Sequence, residues 1–470
     1  MSLDFSNARS QTPWLPMRIL MLSSTFPYPP TLGGTEVRTF HLLRWLAQRH
    51  EVTLLTQRGD GAGSESLGAG RETQGNADAH LAALEAVGAT VLCFPLGRFP
   101  GGALRKSPGR SLAGRSFRHG LGKLTRLARS HLWGIPPNVA FRYSHALQAW
   151  VEDAVQQRRF DVLTCEHGVN AVYVRPEFQQ RVRTVLNAHS FAVGWMRAEL
   201  ALGVSAHPWR DRLYLLTIER YERRFRQQFS RVVVTTAEDR QQFLDFLSWP
   251  SSATGSAAPG IDPNWIQVVP NGVDLAAFSP RPVDPGGYRL VFAGAMDAPH
   301  NIDAVCFFAK AVLPLVRSRY SEVAFWIAGA RPAAAVQALA QHPGVWVMGA
   351  VAEMGAVLRE ATVCVLPLRL GFGIKNKTLE AMAVGVPIVG SDRALEGLPI
   401  AAAEPLALRA NTPTEYAEAI ARLFDSPMLR QQLSQRARAL LEAHYTWEKV
   451  GQQYERALME PSPGAASSPP

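Results

Sequence analysis

The segment Gly371-Phe372-Gly373-Ile374-Lys375-Asn376-Lys377-Thr378-Leu379-Glu380-Ala381-Met382-Ala383-Val384-Gly385-Val386-Pro387-Ile388-Val389 places a glycine-rich turn, two lysines and one acid where a strand hands over to a helix. It then runs through Gly-x-Pro into another apolar strand. Such a junction suits a phosphorylated ligand. Backbone N–H groups at a helix start attract anions, glycines let the chain come close to phosphate, and a lysine adds a full positive charge. An acid one turn further in can reach ribose hydroxyls, as an acid does in dinucleotide sites. A loop-to-helix junction with solvated lysines would show the same residue types, and a Gly-x-Gly alone does not choose between the two.

Upstream of this segment, strands and helices alternate. Short apolar runs at residues 289–293, 323–328, 345–348 and 363–366 read as buried parallel strands, with helices at 301–317 and 332–341 between them. An earlier series begins at Arg18-Ile19-Leu20-Met21-Leu22-Ser23. Gly33-Gly34 opens a helix over 35–49 with Val37, Phe40, Leu43, Leu46 and Ala47 at helical spacing, and residues 52–56 return as a strand. Further strands are expected at 90–94, 161–165, 184–187, 232–235 and 266–269, with a helix at 212–228 and a Ser/Gly/Ala/Pro-rich loop at 249–264.

Two alternations of this kind predict an α/β chain of two doubly wound, Rossmann-like domains facing across a cleft. Their expected limits are 17–278 and 279–445, with a loose arm at 1–16, a helix at 446–460 crossing back to the first domain, and a disordered Pro/Ser-rich tail at 461–470. In doubly wound sheets, ligands sit beyond the carboxyl ends of the strands. Gly33, Gly34, Gly294, Gly329, Gly349, Gly371 and Gly373 all fall there.

At 470 residues, 47% hydrophobic and 19% charged, the composition is that of an ordinary globular enzyme. No apolar run is long enough to span a bilayer and the N-terminus has no signal-peptide pattern, so a cytoplasmic location is expected. Cys93, Cys165, Cys306 and Cys364 show no ligand spacing and read as reduced, buried fillers, and no metal site is expected. The net charge of +10 is concentrated. Between Ala86 and Val151 there is no acid, while ten arginines and lysines occur there. Within residues 101–133, Leu121, Leu124, Leu127 and Leu132 are interleaved with these charges, which favours an anionic membrane surface over a solvated loop. No helix-turn-helix, zinc or RNP-type signature supports a nucleic-acid partner.

Taken together, Gly33-Gly34, Val268-Val269-Pro270-Asn271-Gly272-Val273-Asp274, Ile327-Ala328-Gly329, and Leu379-Glu380-Ala381-Met382-Ala383 with Gly385-x-Pro387 resemble glycosyltransferase family 4 of the GT-B fold. The arrangement is most similar to the bacterial branch that assembles exopolysaccharides and lipid-linked saccharides. The resemblance implies a retaining, metal-independent transfer of a sugar from a nucleoside-diphosphate donor, a co-substrate with no further cofactor, to a saccharide or lipid-linked saccharide acceptor. It places Glu380 on the donor ribose and Gly349 at the base. Gly294 and the turn Gly371–Gly373 would lie along the donor. Lys375, Lys377 and the helix start at Asn376 would hold the diphosphate, with Gly33 and Gly34 approaching it from the other domain, and His189 would stand near the sugar. His167, Glu166 and Glu36 are acceptor-side candidates; each residue also reads as structural, a hydrogen-bonded histidine at a strand end or an acid near a helix start.

Two departures stand out. Many members have an acid where this chain has Phe372, and an Arg and a Lys where it has Ala295 and His300. Lys375 and Lys377 are the available replacements for that clamp. A non-catalytic GT-B scaffold in polysaccharide assembly and a sugar-nucleotide epimerase are the alternatives.

Overall fold

A computed structural model of the chain describes residues 15–30, 33–58, 74–96, 134–205, 207–248, 262–400 and 404–460. They fall into two compact units. One comprises the chain up to Val234, Arg240–Gln267 and the residues from Tyr454 on; the other comprises Thr235–Asp239 and Val268–Gln453. The expected loose arm, basic segment 101–133 and tail lie outside the described residues, apart from residues 15 and 16 of the arm.

In the first unit, β1 (Arg18–Ser23), β2 (Glu51–Arg58), β3 (Thr90–Pro95), β4 (Val162–Glu166), β5 (Arg183–Asn187), β6 (Arg231–Val234) and β7 (Ile266–Val268) form one sheet in the order β3-β2-β1-β4-β5-β6-β7. β1 pairs in parallel with both β2 and β4. The central strands are buried on both faces, which is why they read as continuous apolar runs. β3 lies at the edge, and its Cys93 is exposed rather than the buried filler expected from its apolar neighbours.

The second unit holds β8 (Arg289–Ala293), β9 (Ala324–Ala328), β10 (Val345–Gly349), β11 (Val363–Leu366), β12 (Ile388–Gly390) and β13 (Leu408–Arg409), all parallel, in the order β10-β9-β8-β11-β12-β13. This is a doubly wound sheet. The order reverses between β8 and β11, so the crevice for a ligand opens beyond Ala293 and Leu366. Phe292, Phe308, Phe325, Val365, Leu379 and Ile388 belong to one continuous core beneath it.

The helix Asn376–Val384 ends where the sequence demands it. Gly385 takes the left-handed conformation (φ 82°), and Val386 N–H donates to the Ala381 carbonyl at 2.9 Å. Pro387 then prevents any continuation, and β12 follows. The single helix expected at 301–317 is instead two α-helical segments, Pro299–Phe307 and Leu313–Arg319, joined by a π-helical turn at Phe308–Val312. Pro314 has no N–H to give to the preceding turn, and the wider turn absorbs the defect.

The main segment of the second unit runs from Val268, and the Pro270–Asp274 turn is tied to it. Val273 N–H donates to Tyr445 O at 2.8 Å, and Asn271 Nδ2 donates to Asn376 Oδ1 at 2.8 Å. The C-terminal helix Trp447–Met459 starts in the second unit, and from Tyr454 it packs in the first. There Arg183 and Arg231 donate to the carbonyls of Leu458 and Ala457 at 2.8 and 3.0 Å. Among the described residues no helix is long and apolar enough to cross a membrane.

Candidate active site

In the second unit the strand ends beside the switch point are stitched together. Gly329 N–H donates to Gly349 O at 2.8 Å, and Gly294 N–H donates to Ala328 O at 3.0 Å. Gly294 and Gly329 hold φ of 155° and 153°, and a Cβ on Gly329 would overlap the Gly294 carbonyl. Only glycines allow β8 and β9 to end this closely. A Cβ on Gly294 would also lie 2.7 Å from Lys377 Nζ, so the missing side chain gives that ammonium its place.

Lys377 sits in the first turn of Asn376–Val384. Its Nζ donates to Asn301 Oδ1 and stands 4.4 Å from the Phe292 ring centroid. Asn301 is held in turn, its Nδ2 donating to Ala295 O at 2.8 Å. Loss of hydration pulls the Lys377 pKa down to about 7, against the attraction of Glu380. Glu380, one turn further along, is pushed up to about 7 by the same loss of water. Its carboxylate has no hydrogen-bond or ion-pair partner among the described residues. His300 lies beside this pair, and burial with the nearby lysine charges lowers its pKa to about 3, so it is neutral.

Lys375 is differently placed. Its Nζ donates to Gly373 O of its own loop and pairs with Glu396 Oε2 at 3.2 Å. Glu396 also accepts from Arg393 at 3.0 Å, and Asp239 takes the Gly373 N–H at 3.2 Å. Two acids and two bases balance one another here. Phe372 packs under the Arg393 guanidinium, 5.1 Å from its ring centroid, so the position where the resemblance leads one to expect an acid serves this network. The structure thus brings Gly294, Gly371, Gly373, Lys375, Asn376, Lys377 and Glu380 together, but the Lys375 ammonium is already occupied. Gly349 faces open space on its Cβ side, at the end of β10.

Gly33, Gly34 and His189 belong to the first unit. Gly33 is extended (φ −173°), and a Cβ there would lie 2.8 Å from Glu36 Oε2. His189 follows β5, and its Nε2 lies 3.1 Å from Glu166 Oε2. Burial lowers its pKa, outweighing Glu166. A neutral ring beside a carboxylate carries its proton on the nitrogen facing that carboxylate, which leaves Nδ1 as a bare acceptor. That Nδ1 is buried and has no partner.

Glu166 is fully buried, which removes it from direct contact with an acceptor. It accepts from Asn187 Nδ2 at 2.7 Å, Thr164 Oγ1 at 3.3 Å and Tyr454 OH at 2.9 Å. Arg38, also buried, donates to Asn187 Oδ1 at 3.1 and 3.0 Å and supplies the compensating positive charge. His167 is in the left-handed region (φ 73°). Its Nδ1 accepts from Val169 N–H at 3.5 Å, its Nε2 lies 3.2 Å from Ser190 Oγ, and desolvation lowers its pKa to about 3. Both of its nitrogens are engaged, which fits a structural cap.

Two family models match the chain. A glycosyl transferase 4-like domain covers residues 33–254 and a "glycosyl transferases group 1" domain covers residues 287–426, together most of its length. The chain is a glycosyltransferase of the GT-B type. No curated protein sequence matches it. Solved structures share the fold of this glycosyltransferase at low identity. Anabaena HepE, in complex with UDP and glucose, is 14% identical with a TM-score of 0.56, over 94% of this chain and 99% of that one. Sucrose-phosphate synthase from Thermosynechococcus elongatus is 15% identical with a TM-score of 0.58, over 94% and 98%. A Rickettsia africae glycosyltransferase is 10% identical with a TM-score of 0.55, over 95% and 100%.

Several site residues of this glycosyltransferase had no signal of their own in the sequence. Arg38 falls in a helix among apolar residues, where a charge reads as solvent-facing. Asn301, Asp239 and Tyr454 reach their partners only through the fold, and no local spacing announces them.

Proposed function

We propose that this glycosyltransferase moves a sugar from a nucleoside-diphosphate donor to a saccharide acceptor, lipid-linked or exopolysaccharide, with retention and without a metal ion. The observation that carries this reading is the Lys377/Glu380 pair beyond β8 and β11: a partly buried ammonium at a helix start, and one turn away a carboxylate with nothing bound to it. Glu380 would accept from the ribose hydroxyls. Lys377 and the N–H groups of the first helical turn would take the diphosphate charge that grows as the glycosyl bond breaks. With Lys375 committed to Glu396, one lysine rather than two stands in for the clamp lost at Ala295 and His300. In the first unit, His189 Nδ1 would accept from a sugar or acceptor hydroxyl, held in register by Glu166. The HepE complex with UDP and glucose makes a uridine donor the first to test. The resemblance to the bacterial exopolysaccharide and lipid-linked branch, and the basic segment 101–133, support work at the inner face of the cytoplasmic membrane.

Incubation with UDP-, GDP-, ADP- and TDP-sugars plus lipid-linked oligosaccharide should release one nucleoside diphosphate in step with acceptor elongation, and Glu380→Ala should abolish both. Interconversion of the free nucleotide sugar without acceptor would favour an epimerase. Absence of both reactions, with nucleotide binding also absent, would favour a scaffold that keeps the shape alone.

A further inference from the structure

In the first unit the helices Ala192–Ala201 and Pro208–Arg223 pack against each other as a hairpin. Three large apolar side chains of the second helix are left in solvent: Trp209, 80% exposed, Leu213, 52%, and Leu216, 48%. Spacings of four and three residues put them on one face. Leu202 and Val204, at the turn between the helices, are exposed as well.

The charges on this hairpin are sorted by sign. Asp211 is buried and accepts from Ser205 Oγ at 2.7 Å and Arg210 Nε at 3.0 Å. Glu222 is buried and accepts the N–H groups of Ala192 and Val193 at 3.0 and 3.2 Å. Glu219 pairs with Arg197 at 2.6 Å, and Glu199 is half-buried. Among the described residues from 197 to 220, every exposed charged side chain is an arginine: Arg197, Arg210, Arg212 and Arg220. Arg212 lies over the exposed Trp209 ring, 5.3 Å from its centroid.

We propose that this face docks the protein on an anionic phospholipid surface. An apolar stripe that includes a tryptophan, flanked by arginines with long apolar stems, matches the boundary between acyl chains and charged headgroups. A second copy fits less well. A symmetric contact would set the same patch against itself and bring arginines to arginines. The proposal uses none of residues 101–133 and stands whether or not those touch lipid, and it goes beyond the donor and acceptor reading.

The test uses the full chain with vesicles of phosphatidylcholine, alone or mixed with phosphatidylglycerol. Wild type should co-sediment with the mixed vesicles, and a Trp209→Ser, Leu213→Ser, Leu216→Ser variant should bind them at least about tenfold more weakly. The thermal midpoint should be unchanged, because the replaced groups are already in water. Brominated lipid should quench tryptophan emission in wild type, with the quenched component lost in Trp209→Phe. Retained vesicle binding by the triple variant would overturn the proposal. So would binding lost only on neutralising Arg105, Lys106, Arg110 and Arg115, which would place docking in 101–133. A wild type that ignores vesicles, but is a dimer the triple variant cannot form, would assign the face to a second copy instead.

Discussion

Glu166→Ala is expected to destabilise the first unit by roughly 3–5 kcal/mol, the usual consequence of removing one partner of a buried charge pair. Glu166 is wholly inaccessible, and so, almost, is Arg38. Alanine would leave that guanidinium uncompensated and would strip an acceptor from Asn187, Thr164 and Tyr454 together. Glu166→Gln should be milder. Its amide oxygen can still take the Tyr454 and Thr164 hydroxyls, while its NH2 would face the donor Nδ2 of Asn187. Hydrogen exchange by mass spectrometry gives the readout: faster exchange in β4, β5 and the C-terminal helix after Tyr454, with β8 and β11 unaffected. Unchanged protection in Glu166→Ala would mean that the network does not hold His189 in place.

The second large effect concerns Lys377. Hydrogen bonds to charged groups contribute about 1.5–3 kcal/mol, so Lys377→Met should weaken nucleoside-diphosphate binding about ten- to a hundredfold. The pH dependence is more diagnostic. Burial draws the Lys377 pKa down to about 7, and a bound diphosphate would raise it. Between those two values binding takes up a proton, so affinity should fall as pH rises above about 7, approaching tenfold per unit. Titration calorimetry between neutral and mildly alkaline pH, in buffers of different ionisation enthalpy, measures both the fall and the proton. Lys377→Met should show neither. A wild type with flat affinity and no proton uptake would remove Lys377 from the diphosphate.

Much of the second unit is legible in the sequence. The Gly385-x-Pro387 exit, the apolar runs that became β8, β9 and β11, and the glycines at their ends each follow from local rules of chain geometry. The first-unit strands were equally plain, since strands buried on both faces have no alternation to obscure them. The two lysines were not separable by sequence. Both fall at the same helix start, and only Glu396 and Asp239, distant in the chain, claim Lys375. Arg38 was hidden for the reverse reason, since a charge inside a helix reads as solvent-facing until Asn187 and Glu166 are placed beside it. Glu166 could be an acceptor-side acid or a structural one as far as the sequence goes, and only the fold shows it fully buried with the Tyr454 hydroxyl donating to it. The exposed face of Trp209, Leu213 and Leu216 carries helical spacing that would equally suit a buried helix.

The account rests on a nucleoside diphosphate held by Lys377 and Glu380, and the direct measurement is the thermal stability of wild type and Glu380→Ala with millimolar UDP, GDP, ADP or TDP. At about a hundred times its dissociation constant a ligand adds roughly 2.7 kcal/mol to the folded state, a shift easily seen. One nucleotide should stabilise wild type and leave Glu380→Ala unmoved. Equal stabilisation of both proteins, or of neither, would contradict the assignment.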